Sequence, residues 1–327
     1  MEANRARRSA LPAPPRPAKA TAMAAPLPSS RPEQNRLLGI ALRIGATTCF
    51  GFMAAMIKLG YEAGANTVEM VFYRFAFGLP PLLVWIAASG NFGAWRTERP
   101  RAHLLRGAIG LTTMILAFSA LAYLPLAEAT TIGFAAPLFA VMLSALLLRE
   151  EVGRHRWSAV ALGFAGVVIV MQPGGAALPL EGLAIAILSA LGVACVTITI
   201  RQIGRTEGTQ TTVLWFTGLS MLAVGAAMPL FAQAHDAMTW AILIALGLFG
   251  GLAQLLLTAS LRYAPVSVIA PFDYAQLLWA VLLGWLLWET QPPATTWAGA
   301  AVIIASGLYT LYREHKLGRE KPRAAAF

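Results

Sequence analysis

Asp273, Arg74, Glu128 and Lys58 are ionisable residues inside long apolar runs, where a charge is costly unless it is paired or hydrated. Asp273 sits in the run APFDYAQLLWA. An aspartate side chain is too short to reach the lipid headgroups from about eight residues into a helix. A carboxylate so placed could take up a proton, because a low dielectric favours the neutral form, or it could receive a cationic group. Its purely structural role would be a hydrogen-bond acceptor or an ion pair with Arg74. Arg74, in turn, could hold an anionic group or lock two helices together. Glu128 lies close to the start of its run, where it can meet water or cap a helix N-terminus whose dipole favours an anion. Lys58 is near the end of its run and can snorkel.

Neutral groups add to this set. Gln254, Gln276 and Tyr274 offer hydrogen bonds within two successive apolar runs, while Trp215 and Trp279 offer flat faces to an aromatic or cationic solute. Trp85, Trp95, Trp240, Trp288 and Trp297 fall near run ends and suit a headgroup belt; Trp279 is mid-run and does not.

The elements that must position these residues follow from composition. Of 327 residues, 57% are hydrophobic and 12% charged, against about 25% charged in soluble domains. The net charge of +10 is divided into short clusters between apolar runs. That spacing marks loops at a bilayer surface and excludes a basic nucleic-acid-binding face. Cys49 and Cys195 each stand alone in apolar sequence, so neither a disulfide framework nor a cysteine metal site is expected. His103, His155, His235 and His315 lack zinc-ligand spacing, and there is no Walker loop and no nucleophile elbow. The expectation is therefore no metal, no cofactor and no ATP-driven step in this chain.

A helix needs about 20 apolar residues to cross the hydrocarbon. Ten runs qualify, at approximately 37–60, 67–89, 103–123, 126–148, 156–173, 180–200, 210–232, 238–261, 265–288 and 293–312, the fifth and tenth being shortest in their apolar part. Arg96, Arg99, Arg101, Arg106, Arg149, Arg154, Arg156, Arg201, Arg205 and Arg262 all surround even-numbered connections. The odd connections contain no Lys or Arg. Basic loops stay in the cytoplasm, so both chain ends belong there. An even number of spans and this alternation support one another.

The chain also resembles itself. Residues 121–161 align with 261–301 at an offset of 140, pairing Tyr123-x-Pro125 with Tyr263-x-Pro265 and Trp157 with Trp297. At an offset of 143, Lys58 falls opposite Arg201 and Phe72-Tyr73 opposite Trp215-Phe216. The repeating unit is about five helices, an odd number, so the second copy enters the membrane in the opposite sense. The sequence thus predicts an all-α membrane protein of about ten transmembrane helices built as two inverted five-helix repeats. Such pairs are common in secondary transporters, with the solute site at the repeat interface.

Residues 120–174 closely resemble the fourth and fifth helices of EamA-type carriers of the drug/metabolite transporter superfamily. Supporting features are Pro137, Glu150 seven residues before Trp157, and the Tyr73-Arg74 pair after Lys58. The resemblance covers about residues 37–312. It implies a ten-helix carrier with a central cavity lined by the first, third, fourth, sixth, eighth and ninth helices. The second copy departs from the pattern: Leu277 stands opposite Pro137, and Glu289 lies eight residues before Trp297.

The expected organisation is a disordered basic cytoplasmic arm over 1–35, repeats over 36–174 and 175–313, and a basic cytoplasmic tail over 314–327. A native start at Met23 would shorten the arm. The expected activity is transport of a small organic metabolite or drug-like solute by alternating access, with a proton as one candidate coupling ion, in a bacterial inner membrane. The expected partners are that solute and the lipid bilayer, with a homodimer compatible. The rivals are an intramembrane enzyme acting on lipid and a channel-like or non-transporting scaffold. An enzyme should gather several polar residues at one interface depth, whereas the candidates here are scattered.

Overall fold

Hydrocarbon supplies no hydrogen-bond partners, so each apolar run must satisfy its own backbone, and each is helical. The computed structural model describes residues 35–147, 153–171, 178–204, 206–264 and 266–320. The first half contains α1 (Arg36–Glu62), α2 (Thr67–Ala76), α3 (Leu79–Ala88), α4 (Pro100–Tyr123), α5 (Leu126–Gly133), α6 (Ala136–Leu147) and α7 (Arg154–Met171). The second contains α8 (Leu180–Ile203), α9 (Thr209–Phe231), α10 (Ala237–Tyr263), α11 (Val266–Ile269), a 3-10 turn (Ala270–Tyr274), α12 (Ala275–Trp288) and α13 (Ala294–Glu320). Among the described residues, eight stretches are long and apolar enough to cross a membrane, and Trp157–Met171 is a shorter apolar helix. With α13 these complete the ten expected segments.

Helix starts follow local chemistry. Asn35 caps α1 by accepting from the Leu38 amide at 3.1 Å. Asn66 and Glu69 form a reciprocal capping box at α2. Three spans expected as single helices are interrupted instead. The second breaks at Phe77-Gly78, ahead of Pro80 and Pro81; the fourth breaks at Phe134-Ala135; the ninth passes through the 3-10 turn. In each case a proline supplies no N–H to the turn before it. Pro229, by contrast, stands in the last turn of α9 without ending it.

The expected arm lies outside the described residues except for Asn35, as do Glu150, Pro265 and residues 321–327. α13 runs past residue 313, through Glu320.

Packing reproduces the inverted repeat. The first span, α1, packs on the eighth, α10, and the sixth, α8, packs on the third, α4. Exchanging the repeats converts one contact into the other. The same holds for α1 against α12 and α8 against α6. The fifth and tenth spans, α7 and α13, face their own equivalents. There Gly166 meets Gly299, and Ser306 Oγ donates to the Ala159 carbonyl. Those two contacts are also exchanged by the offset of 140. Lipid gives helices no hydrophobic reason to associate, so close backbone approach through small residues does this work.

One half of the bundle is filled by Ala54, Ile57, Met70, Phe75, Leu126 and Leu283. The half containing the start of α1 and the end of α8 encloses a cavity.

Candidate functional site

The breaks in the fourth and ninth spans face each other. Around the first, the Ala135 and Leu138 amides reach back only three residues, to Ile132 at 2.9 Å and Ala135 at 3.0 Å, as Pro137 interrupts the α-helical ladder. Around the second, Pro271 stands in the 3-10 turn that carries Asp273 and Tyr274. Phe134 and Tyr274 are 140 residues apart, hence equivalent in the two repeats. Their rings meet edge to face at 5.0 Å. Residues related by the repeat can touch only near the axis that relates the repeats, so this pair marks that axis.

Beside it lies a cavity of about 620 Å³, within the roughly 300–1,000 Å³ of small-molecule sites. Its lining is mainly apolar, with Arg43, Thr47, Ser144, Thr197, Arg201 and Thr310 among its polar residues, together with Asp273, Tyr274 and Gln276. Corresponding broken helices in the two halves of an inverted repeat are where solute sites are built.

Arg43, from α1, donates through Nε and Nη2 to the two carboxylate oxygens of Asp273. The pair is bidentate, the strong geometry for a guanidinium and a carboxylate. Arg43 is 12% exposed and Asp273 38%, so the carboxylate keeps a face toward the cavity. This sets aside the pairing with Arg74 that the sequence offered as one structural role for Asp273. The structure joins Asp273 to a residue of the first span, and Arg74 lies elsewhere.

The remaining sequence candidates divide by place. Gln276 and Tyr274 share the cavity with Asp273, and the Tyr274 hydroxyl lies against Gly307 of α13. Arg74 and Gln254 sit together at a separate, much smaller cavity between α2, α3, α9 and α10. Trp279 is interior packing: it fills the space left by Gly51 and tilts against Phe52 at 5.5 Å. Trp215 donates to the Trp95 carbonyl at 3.0 Å and stacks on His103, away from the cavity.

Glu128 stands in the first turn of α5, as expected, but it does not meet water. It is buried and accepts from Thr296 Oγ1 at 3.1 Å, with Oε2 unpartnered among the described residues. Lys58 is half-buried at the far end of α1, 3.4 Å from the Leu124 carbonyl and over the Trp288 ring at 5.5 Å. Trp288 in turn donates to Glu62.

Several charged groups went unread in the sequence. Arg43 is an ionisable residue within an apolar run, the same signal that picked out Asp273, and it lies close to the start of α1, where a long cation can snorkel. Glu69 is wholly buried and saturated, accepting from the Asn66 and Gln233 amides and approaching His235 Nε2 at 3.1 Å. It ties α2 to the connection after α9. Arg106, expected at a loop, is buried against the Phe216 ring at 4.1 Å. In the connection after α8, the Thr97 hydroxyl at 2.6 Å and the Glu98 amide hold the Glu207 carboxyl below the ordinary glutamate range.

Among the described residues, no group of three or more His, Cys, Asp or Glu side chains could hold a metal ion.

Comparison with known proteins places this geometry in context. Residues 37–172 and 180–312 each match the EamA-like transporter family. Among curated relatives, an uncharacterized transporter of Helicobacter pylori is 29% identical, over 83% of this chain and 94% of its own. A riboflavin transporter of Vibrio cholerae is 28% identical, over 84% and 91%. A pseudopaline exporter of Pseudomonas aeruginosa is 27% identical, over 82% and 94%. One crystal structure superposes with a TM-score of 0.60 at 19% identity, covering 84% of this chain and 97% of that one, a likeness of fold.

Proposed function

This chain belongs to the EamA-like transporter family, and on that footing we propose that the cavity between its repeats is the solute site, read by Arg43 and Asp273. The protein is an integral membrane protein and a secondary transporter of a small organic solute. Relatives named for riboflavin and for pseudopaline differ in solute, so the cavity itself must indicate the class. Its mainly apolar wall suits an apolar or aromatic body, with Phe134 and Tyr274 offering ring faces and edges. Its charged wall suits a solute with an ionised group.

The bidentate contact of Arg43 with Asp273 carries this reading, because it joins the first span of one repeat to the broken ninth span of the other. An anionic group can take Arg43 from Asp273. A proton on Asp273 would have the same releasing effect, which is how a proton gradient would drive the carrier. In this reading the structure is the state open toward the end of the bundle where α1 begins and α8 ends. Arg96, Arg99, Arg101 and Arg201, in or beside the even-numbered connections, support a cytoplasmic face in a bacterial inner membrane at that end.

The polar residues favour a carrier over a lipid-modifying enzyme. Among the described residues, the charged groups are distributed between the cavity, the packed half and separate helix contacts.

The test is a stabilisation screen of the purified protein against metabolites and dyes, since any binder raises the unfolding midpoint. A ligand that stabilises the wild type should lose at least about tenfold in apparent affinity in Arg43→Ala, the cost of about 1.4 kcal/mol. Equal stabilisation of the variant would remove the pair from the site.

A further inference from the structure

Arg74 presents a problem that the solute cavity does not solve. It is fully enclosed by protein in the middle of the second span, and a guanidinium does not give up its proton. Among the described residues it has no acidic partner. Its Nη2 reaches the Gly250 carbonyl only at 3.5 Å, and its Nε has no hydrogen-bond acceptor. The Phe75 ring lies 5.2 Å from the guanidinium carbon, which spreads the charge without cancelling it.

Next to it is an enclosed space of about 10 Å³, lined by Arg74, Gly78, Trp85, Thr217, Gly251 and Gln254 among others. Such a space holds one small particle, a water molecule or a monatomic ion. The walls are set by backbone: a side chain at Gly251 would stand 2.8 Å from the Gly78 Cα. The space therefore cannot widen without separating α10 from the bend between α2 and α3.

We propose that this is a binding site for a single monatomic anion of the chloride class, held by Arg74 with the Thr217 hydroxyl and the Gln254 amide as further donors. The anion neutralises Arg74 and fixes the bend of the second span against α10, a contact between the two repeats. A trapped water would fill the same volume and accept from Nε, but it would leave the charge uncompensated in the membrane interior. The site is independent of the solute cavity, which Arg74 does not line.

The experiment compares unfolding midpoints of purified full-length protein in chloride, bromide and gluconate salts at equal ionic strength. Chloride and bromide should raise the wild-type midpoint saturably, by roughly 2–4 °C over gluconate, and the difference should vanish in Arg74→Gln. Thr217→Val keeps the charge in place and should weaken the halide response several-fold, which covers the case that Arg74→Gln does not fold. Crystals grown in bromide should show an anomalous peak beside Arg74. Identical midpoints in all three salts, a halide shift that persists in Arg74→Gln or is unaltered in Thr217→Val, or no bromide peak would overturn the proposal and leave water in the site.

Discussion

Truncating Asp273 leaves Arg43 on the cavity wall without its counter-charge, and truncating Arg43 does the converse. Either loss should destabilise the folded protein, though by less than the 3–5 kcal/mol or so of a fully buried pair, because Asp273 is 38% exposed. A double-mutant cycle with Arg43→Ala and Asp273→Ala, read as unfolding free energies, should therefore give a coupling of roughly 1–2 kcal/mol. Strictly additive losses would show that the two side chains do not act as a pair. At this scale the sequence singled out one member of the Arg43–Asp273 pair. Asp273 was legible because a short acidic side chain deep in an apolar run has few innocent explanations. Its partner was not, because 230 residues separate them and Arg74 offered an equally deep cation. Glu128 was misplaced for a related reason: distance from a span's end measures depth along the membrane normal, not whether Thr296 from another helix covers the group.

Helices in lipid associate by shape, which makes the contact of α7 with α13 a sensitive place to intervene. A side chain at Gly299 would meet Val170 and the Gly166 carbonyl, a backbone atom that cannot swing away. Gly299→Val should cost roughly 1–3 kcal/mol through overpacking, whereas Gly218→Ala on α9, with nothing near its new methyl, should be close to neutral. Thermal unfolding in detergent distinguishes the two, and an equal response at both positions would contradict the packing described. The spans themselves were readable from length and charge, since hydrocarbon thickness fixes one and loop retention the other. The interruptions were only partly readable. Pro137 and Pro271 signalled lost backbone hydrogen bonds, but whether a helix bends or breaks depends on what packs beside it. Pro80 and Pro81 follow a break that the run of apolar residues concealed.

At the scale of the whole molecule, the inverted repeat explains why the candidate site is where it is. Two copies in opposite senses must share an axis, and the meeting of Phe134 with Tyr274 locates it next to the cavity. That relation was present in the sequence as an offset of 140, carried by Tyr-x-Pro and Trp pairs. The family resemblance implied a central cavity, but not its lining residues, which come from α1, α6, α8 and α13 and which no local pattern connects. The repeat, here at an offset of 143, places Lys58 opposite Arg201: one stands in the packed half and the other on the cavity wall. A carrier that alternates would exchange those surroundings. Counterflow of a stabilising solute in proteoliposomes is the direct measurement. Wild-type protein should show saturable uptake stimulated by the same solute inside, and Asp273→Asn, folded and inserted in equal amount, should lose it. Uptake that neither saturates nor responds to internal solute, or that is unchanged in Asp273→Asn, would contradict the account.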